Sequence, residues 1–419
     1  MTDRSVFVYV DLNGAPQLVG QLWSHMRKTR ESSTFEYDKA WLQSPDRFAL
    51  EPALQLSEGA FHAPADKVLF GAIGDSAPDR WGRILMRRAQ KRRAEMKSVK
   101  PHTMREIDYL LAVDDEARQG ALRFSEEEGG PFLADQDAIK IPPLIELPRL
   151  LAASERVIDD DDDDNDIRIL LAPGSSLGGA RPKASVHDHD GRLAIAKFPR
   201  KDDEFNTVAW EVVALELARK ARINTAKSRF EHIADKPVII LERFDRDNGN
   251  RIPFLSAMSM IGAKDNETHS YLEIVDAIRQ YGAHPVADMH ELWRRIVFTI
   301  LISNIDDHMR NHGFLYAGTD GWVLSPAYDL NPTPIEIKPR ILSTAIDFDD
   351  QTASLALALS VVEYFELREK EARDIAADVA DAVSCWRTEA AKIGLPASEC
   401  NRMASAFEHD DLEMALSFL

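Results

Sequence analysis

Cysteine is almost absent from this chain. Cys385 and Cys400 are the only two in 419 residues, too few for a disulfide framework and not spaced as a zinc pair. Long apolar runs are missing as well: none approaches the ~20 residues that would span a bilayer. The opening Met1-Thr2-Asp3-Arg4 passes straight into an alternating strand pattern, so no signal peptide is expected. No internal repeat is visible. Positive charge is also short: 51 Lys and Arg against 70 Asp and Glu give a net charge of −19, which argues against a surface that binds nucleic acid as a whole. What remains is an ordinary globular protein with no membrane partner, for which the cytoplasm is the default location. A hydrophobic content of 44% and a charged content of 29% agree with that class, and the length allows two or three domains with a substantial core.

The charge is unevenly placed. Asp159 to Asp164 is an unbroken acidic run, expected to be an exposed loop. Arg80 to Arg105 carries ten Lys or Arg against one acid, Glu95. Ser76, Pro78 and Asp79 supply a cap, a first-turn Pro and a first-turn acid for a helix there. Arg80, Arg83, Arg87, Lys91 and Arg92 cluster on it at helical spacing. A solvated helix face is the plainer reading, and contact with an anionic partner the alternative.

Along the chain, Ser5 to Val10 and Gln17 to Trp23 alternate around Asn13-Gly14, a strong type I′ hairpin signal. A small antiparallel sheet over the first ~60 residues is expected, then helices through Leu111 and a strand over Gly120 to Phe124. Pro142, Pro143 and Pro148 open a short helical stretch that the acidic run ends. From Ile167 to Asp245 the signals are mostly β: Ala184 to Val186 and Leu193 to Phe198 joined by Asp190-Gly191, and Val238 to Leu241. One helix carrying Trp210, Val213, Ala214, Leu217 and Ala218 interrupts them. After Ser256 the signals are helical, including Glu369 to Lys392 and Ala404 to Phe418. This predicts an α+β protein in three segments: residues 1–145, 146–250 and 251–419.

The chemistry-bearing stretch is Asn304-Ile305-Asp306-Asp307-His308-Met309-Arg310-Asn311, with Asp329 further on. An Asp with an Asn five positions later is the spacing of a protein-kinase catalytic loop, where Asp receives a hydroxyl proton while Asn and a downstream Asp hold metal. Trp293, Ile296, Val297, Ile300 and Leu301 predict a buried helix leading into it. Phe314 to Tyr316 and Trp322 to Leu324, around Gly318 to Gly321, predict a hairpin leading to Asp329. Alone, such Asp and Asn residues are turn or cap formers; their joint order favours function. A metal hydrolase built on Asp306, Asp307 and His308 lacks further ligands in the sequence.

Ahead of the strand Ala184 to Val186 lies Pro173-Gly174-Ser175-Ser176-Leu177-Gly178-Gly179-Ala180-Arg181-Pro182-Lys183. Its glycines would let backbone N–H groups approach phosphate, but it is neither a Walker loop nor G-x-G-x-x-G. Lys197 interrupts an apolar strand in phase with Leu193 and Ile195, on a face expected to be buried. A lysine there needs an anion, which ATP phosphates and Glu211 on the following helix would supply; an edge lysine reaching out to water is the other reading, and the Asp306–Asn311 motif favours ATP.

With these motifs the chain resembles the HipA family of bacterial serine/threonine kinases, toxins of type II toxin–antitoxin systems. Phe70-Gly71 through Asp79-Arg80, Leu110 to Leu122, Ser176 to Lys183, Ala196-Lys197, Glu242 to Arg246, Asp306 to Asn311 and Ser325 to Leu330 carry the resemblance. It implies a two-lobed protein-kinase-like fold, with an N-terminal β-rich subdomain and an all-helical C-lobe, and ATP and Mg²⁺ as cofactors. Asp306 would accept the proton, and Asn311 and Asp329 would hold Mg²⁺. Gly178, Gly179, Ala180, Arg181, Pro182, Lys183 and Lys197 would meet the phosphates, and Glu242, Arg243 and Phe244 the adenine. His308, Met309, Arg310 and Tyr328 would complete the nucleotide site. Ser176, with Ser175 as neighbour, would be the inactivating autophosphorylation site, since added charge beside ATP repels it. The resemblance further implies a HipB-like helix-turn-helix antitoxin as partner, operator DNA reached through it, and an aminoacyl-tRNA synthetase as substrate. Arg181-Pro182 departs from the family's usual loop, Asp307 stands where Gly often follows the catalytic Asp, and Tyr328-Asp329-Leu330 lacks the Gly of D-F-G. A non-catalytic co-repressor and a small-molecule kinase are the alternative functions.

Overall fold

Asn13 and Gly14 both take positive φ, 54° and 78°, the type I′ geometry whose twist matches paired strands. They join β1 (Arg4–Leu12) to β2 (Ala15–Arg27); β3 (Arg30–Tyr37), β4 (Ala60–His62) and β5 (Leu122–Ser125) complete a five-stranded sheet in the order β4-β3-β2-β1-β5. The computed structural model describes residues 4–132, 140–171, 179, 181–264 and 267–419. It divides into two units, Met1–Asp202 with Glu231–Leu255, and Asp203–Phe230 with Ser256–Leu419. The bounds expected at 145 and 250 mark three segments, whereas these units place the helix Thr207–Lys220 with the second.

In the first unit, β6 (Lys183–His187), β7 (Leu193–Lys197), β8 (Ser228–Ile233) and β9 (Lys236–Glu242) form a sheet in the order β6-β7-β9-β8, with β8 beginning in the second unit. β10 (Arg246–Asp247) and β11 (Asn250–Arg251) form a short ribbon, and β12 is Phe254–Ser256. The helices Arg80–Met96, Leu147–Ile158 and Asp164–Leu171 cover one sheet face, where Trp81, Leu85, Leu150, Ile167 and Leu170 meet Ala184, Val186, Ala194, Ala196, Val238 and Ile240. That burial supplies the hydrophobic drive for the unit.

Several expectations are corrected here. The basic helix is capped by Asp79, whose side chain accepts from the Gly82 amide at 2.7 Å; Ser76 is instead the C-cap of the preceding helix Gly71–Asp75 and donates to the Ile73 carbonyl. An N-cap needs extended backbone, and Asp79 has it. The acidic run is not wholly exposed: the Asp162 side chain is 2% exposed beneath Arg88 and Arg92, which also pair with Asp160 and Asp164. Arg83 pairs with Glu106 at 2.6 Å, while Arg80, Arg87 and Lys91 stay exposed. Paired guanidinia at Arg83, Arg88 and Arg92 thus replace part of the solvated basic face. Residues 167–171 are helical, not β, because Ile167 and Leu170 sit at helical spacing toward the core.

The second unit holds the helices Tyr271–Tyr281 and Pro285–Leu301, and the expected hairpin of β13 (Gly313–Tyr316) and β14 (Trp322–Leu324), with Phe314 opposite Leu324. The helical stretches expected over Glu369 to Lys392 and Ala404 to Phe418 are each broken. One gives Glu369–Ser384 and Trp386–Lys392 around Cys385, the other Ala397–Phe407 and Asp410–Leu416 around His409. No helix of the described residues is long and apolar enough to cross a membrane.

His409 sits at such a break with Nε2 3.2 Å from the Leu301 carbonyl, bracing the end of the helix Pro285–Leu301. Burial, and then the Arg340 charge, push its pKa from 6.5 down to about 4. The unfolded chain therefore binds this proton first as pH falls. Stability is full above 6.5 and is lost progressively toward 4, by at most about 3 kcal/mol. Urea midpoints measured from pH 7 to 4 are expected to fall more steeply for the native chain than for His409→Gln; parallel curves would refute the assignment.

Candidate functional site

In the first unit, strand register brings the expected phosphate-side residues together. Lys183 lies directly opposite Lys197, Phe198 N donates to Pro182 O at 3.0 Å, and Glu242 lies opposite Ala194 on the next strand. Two lysines face to face repel. Lys183 is relieved by Asp79: its ammonium, 3% exposed, lies 3.0 Å from the Asp79 carboxylate. Burial pushes the Asp79 carboxyl up, and the Lys183 charge pulls it back. A Cβ on Gly179, whose φ is +107°, would lie 3.1 Å from the Lys183 ammonium, so this position suits glycine. Gly178, Ala180, Ser175 and Ser176 lie outside the described residues.

The burial expected for the Lys197 face holds only at Leu193, which packs with Ala117 and Ile141. Ala194, Ala196 and Phe198 are fully buried, while Ile195 and Lys197 on the opposite face are half-buried. The small alanines admit the covering helices to one face, leaving Lys197 where its charge keeps some access. Glu211 is 3% exposed in the helix Thr207–Lys220 of the second unit.

At the end of β9 the chain enters Glu242-Arg243-Phe244-Asp245-Arg246. Glu242 accepts from Arg192 at 3.1 Å, and the Phe244 ring lies 6.2 Å from Phe254. Arg243 is nearly buried and forks onto Asp245 at 2.6 and 2.5 Å. Burial would raise the Asp245 carboxyl, but Arg243 and Arg246 overcome it and hold it well below the usual range.

In the second unit, the helix Pro285–Leu301 ends and Ser303 turns through φ +52° into the loop. Asp306 is exposed. Its carbonyl accepts from the His308 amide at 3.0 Å and from Asn311 Nδ2 at 3.1 Å. Using its nitrogen inward leaves Asn311 Oδ1 as the outward acceptor. Asp307 is buried, and its Oδ2 accepts from Tyr271 Oη at 2.5 Å and lies 3.1 Å from His312 Nε2. Burial alone would raise the Asp307 carboxyl; His312, together with these bonds, holds it below the usual range.

Asp329 is tied to the same loop. Tyr328 Oη donates to Arg310 O at 2.7 Å, and Asn331 N donates to Asn304 Oδ1 at 3.3 Å. Asp329 itself takes φ +61°, a region that Asp enters more readily than most residues. Segment 343–344 brackets Asp306: Ser343 Oγ donates to Ile305 O at 3.0 Å and Thr344 Oγ1 to Asp307 O at 2.6 Å. Beside them lies a cavity of about 280 Å³ lined by Met258, Lys264, His269, His308, Met309 and Arg310, among others. Thus Asp306, His308, Met309, Arg310, Asn311, Tyr328 and Asp329 converge within this unit.

Sequence reasoning missed the anchors of this loop: Tyr271, His312 and the inward turn of Asp307. The pairing of Tyr271 with Asp307 spans 36 residues, so no local spacing signals it. Among the described residues, no group of three or more His, Cys, Asp or Glu is placed to hold a metal ion; Asn311 and Asp329 offer oxygen donors of the kind Mg²⁺ takes, which leaves its other positions to water and phosphate.

Replacing Asp307 by Asn leaves Tyr271 and His312 without their shared anion. A loss of about 2–4 kcal/mol is expected, read as a lowered urea midpoint. Amide exchange should quicken over 306–312. An unchanged midpoint would rule out the anchoring role.

Comparison with known proteins agrees with these features. Residues 175–386, about half of the chain, match the HipA-like C-terminal domain, and residues 9–125 match the HipA N-terminal domain. A protein of Haemophilus influenzae named "putative kinase" is 30% identical over 100 residues, spanning 22% of this chain and 29% of that protein. Another so named, from Sinorhizobium fredii, is 23% identical over 329 residues, spanning 71% of this chain and 72% of that one. The first relative is therefore matched over less than a third of its length. The fold is similar to that of the Shewanella oneidensis toxin–antitoxin protein HipA, solved with HipB and its operator DNA. The TM-score is 0.68 at 16% identity, over 99% of this chain and 96% of that one. With both domain types matched in order and the kinase-like α+β fold shared end to end, this chain belongs to the HipA family.

Proposed function

We propose that this protein is an ATP- and Mg²⁺-dependent serine/threonine kinase, the toxin of a toxin–antitoxin pair. The observation that carries the reading is the loop in which Asp306 stays exposed while Asn311 and Asp307 fix its backbone from both sides. Phosphoryl transfer asks a protein mainly for positioning and charge neutralisation. Asp306 accepts the proton of a substrate hydroxyl as that oxygen bonds the γ-phosphorus, and the bond to the β-γ bridging oxygen breaks to release ADP. Lys197 neutralises phosphate oxygens, with Glu211 as its supporting carboxylate. Asn311 and Asp329 would hold Mg²⁺, which supplies further charge neutralisation at the phosphates. Residues 178–183 cover the phosphates, and Glu242 to Phe244 receive adenine.

By analogy with the family, the partner is a HipB-like helix-turn-helix antitoxin that reaches operator DNA, the substrate an aminoacyl-tRNA synthetase, and Ser176 the site of inactivating autophosphorylation. The relatives named as kinases and the HipA–HipB complex support the reading.

Intact-mass analysis after incubation with ATP and Mg²⁺ is expected to show one added phosphate, mapping to Ser176. Asp306→Gln is expected to abolish it, a loss of at least about 10³-fold in rate. Incorporation undiminished in that variant would sink the proposal.

A further inference from the structure

We infer that Asp245, with Arg243, Arg246 and Arg251, positions the strand end Glu242–Phe244 by gripping the main chain of Asp115–Gly120. The HipA N-terminal domain is on this inference a working part of the nucleotide site. The inference rests on the kinase reading above, in which Glu242–Phe244 receives adenine.

The grip falls almost entirely on backbone atoms within the first unit. Arg251 donates to Asp115 O at 2.6 Å and Arg246 to Glu116 O at 3.2 Å. Arg243 donates to Ala117 O at 2.9 Å and Arg118 O at 3.2 Å. Arg246 also reaches Arg118 O at 2.7 Å and Gly120 O at 3.1 Å. In return, Gly120 N donates to Asp245 Oδ2 at 2.7 Å. Asp245 therefore holds two arginines and one amide of the segment at once. Buried carbonyls left without donors are costly, so the segment and the arginines require each other.

The segment is in turn fixed to the N-terminal sheet. β5 follows it and pairs with β1, Val10 opposite Leu122, and Asp11 N donates to Ala121 O at 2.9 Å. Arg123 joins Asp11 at 3.2 Å and Asp115 at 2.6 Å. Gly120 has φ +71°, and a Cβ there would lie 3.1 Å from Phe254 N, so the two chains approach as closely as backbone permits. On the other side, Arg243 N donates to Leu193 O at 3.2 Å. The grip thus sits between the N-terminal sheet and the strand β7 that carries Lys197. A role in stability alone is the competing explanation, because buried ion networks need not serve a site.

The test uses the full chain and two variants. Asp245→Asn removes the shared anion. Arg246→Lys keeps a cation beside Asp245 but not the fork that spans three carbonyls. Binding of Mg²⁺ with non-hydrolysable ATP and GTP analogues is measured by calorimetry, at a temperature where circular dichroism shows a folded chain. In both variants, affinity for the ATP analogue is expected to fall about tenfold and the preference over the GTP analogue to shrink, since placement of the base is what is lost. If Asp245→Asn does not fold, Arg246→Lys decides. A lower thermal midpoint with unchanged affinity and base preference would assign the cluster to stability and overturn the inference. A native chain that binds neither nucleotide would instead overturn the kinase reading.

Discussion

A carboxylate taken out of water must find donors, and in this protein three buried aspartate side chains meet that demand with segments of the candidate site. Asp79 takes the Lys183 ammonium at the start of β6 while capping the basic helix. Asp245 takes Arg243, Arg246 and the Gly120 amide beside the end of β9. Asp307 takes Tyr271 and His312 beneath Asp306. An isolated buried charge costs several kcal/mol. Each segment is therefore held by a penalty for leaving as much as by attraction, and rigid placement of this kind is what a phosphoryl-transfer site needs.

The division of labour between neighbouring acids follows. Asp306 and Asp307 are adjacent, yet one is exposed and the other is buried with donors that hold it ionised. Environment, not residue type, separates an exposed carboxylate from an anchor. The Asp307 side chain fastens the loop inward through Tyr271 and His312.

Elements with local signals were legible in the sequence. The Asn13-Gly14 turn, the hairpin ending at Leu324 and the helix leading to Asn304 follow from turn chemistry and periodicity. The Asp306–Asn311 spacing and its order relative to Asp329 were enough to locate the candidate loop. Long-range contacts were not legible. Asp162 became a buried partner because Arg88 and Arg92 approach from 70 residues or more away. The Lys197 face is less buried than expected because alternation marks two faces without saying which one helices will cover. The alanines 194 and 196 could have told, since small residues on one face admit close packing. The breaks at Cys385 and His409 carry neither Gly nor Pro, so no residue announced them.

Arg243, Arg246 and Arg251 hold oxygen atoms that every residue type possesses. Such recognition is blind to side-chain identity at Glu116 but not to chain length: one residue inserted or removed between 115 and 120 would slide the carbonyls out of step with three fixed guanidinia. Drift of composition in this stretch is cheap, whereas a shift of phase is not.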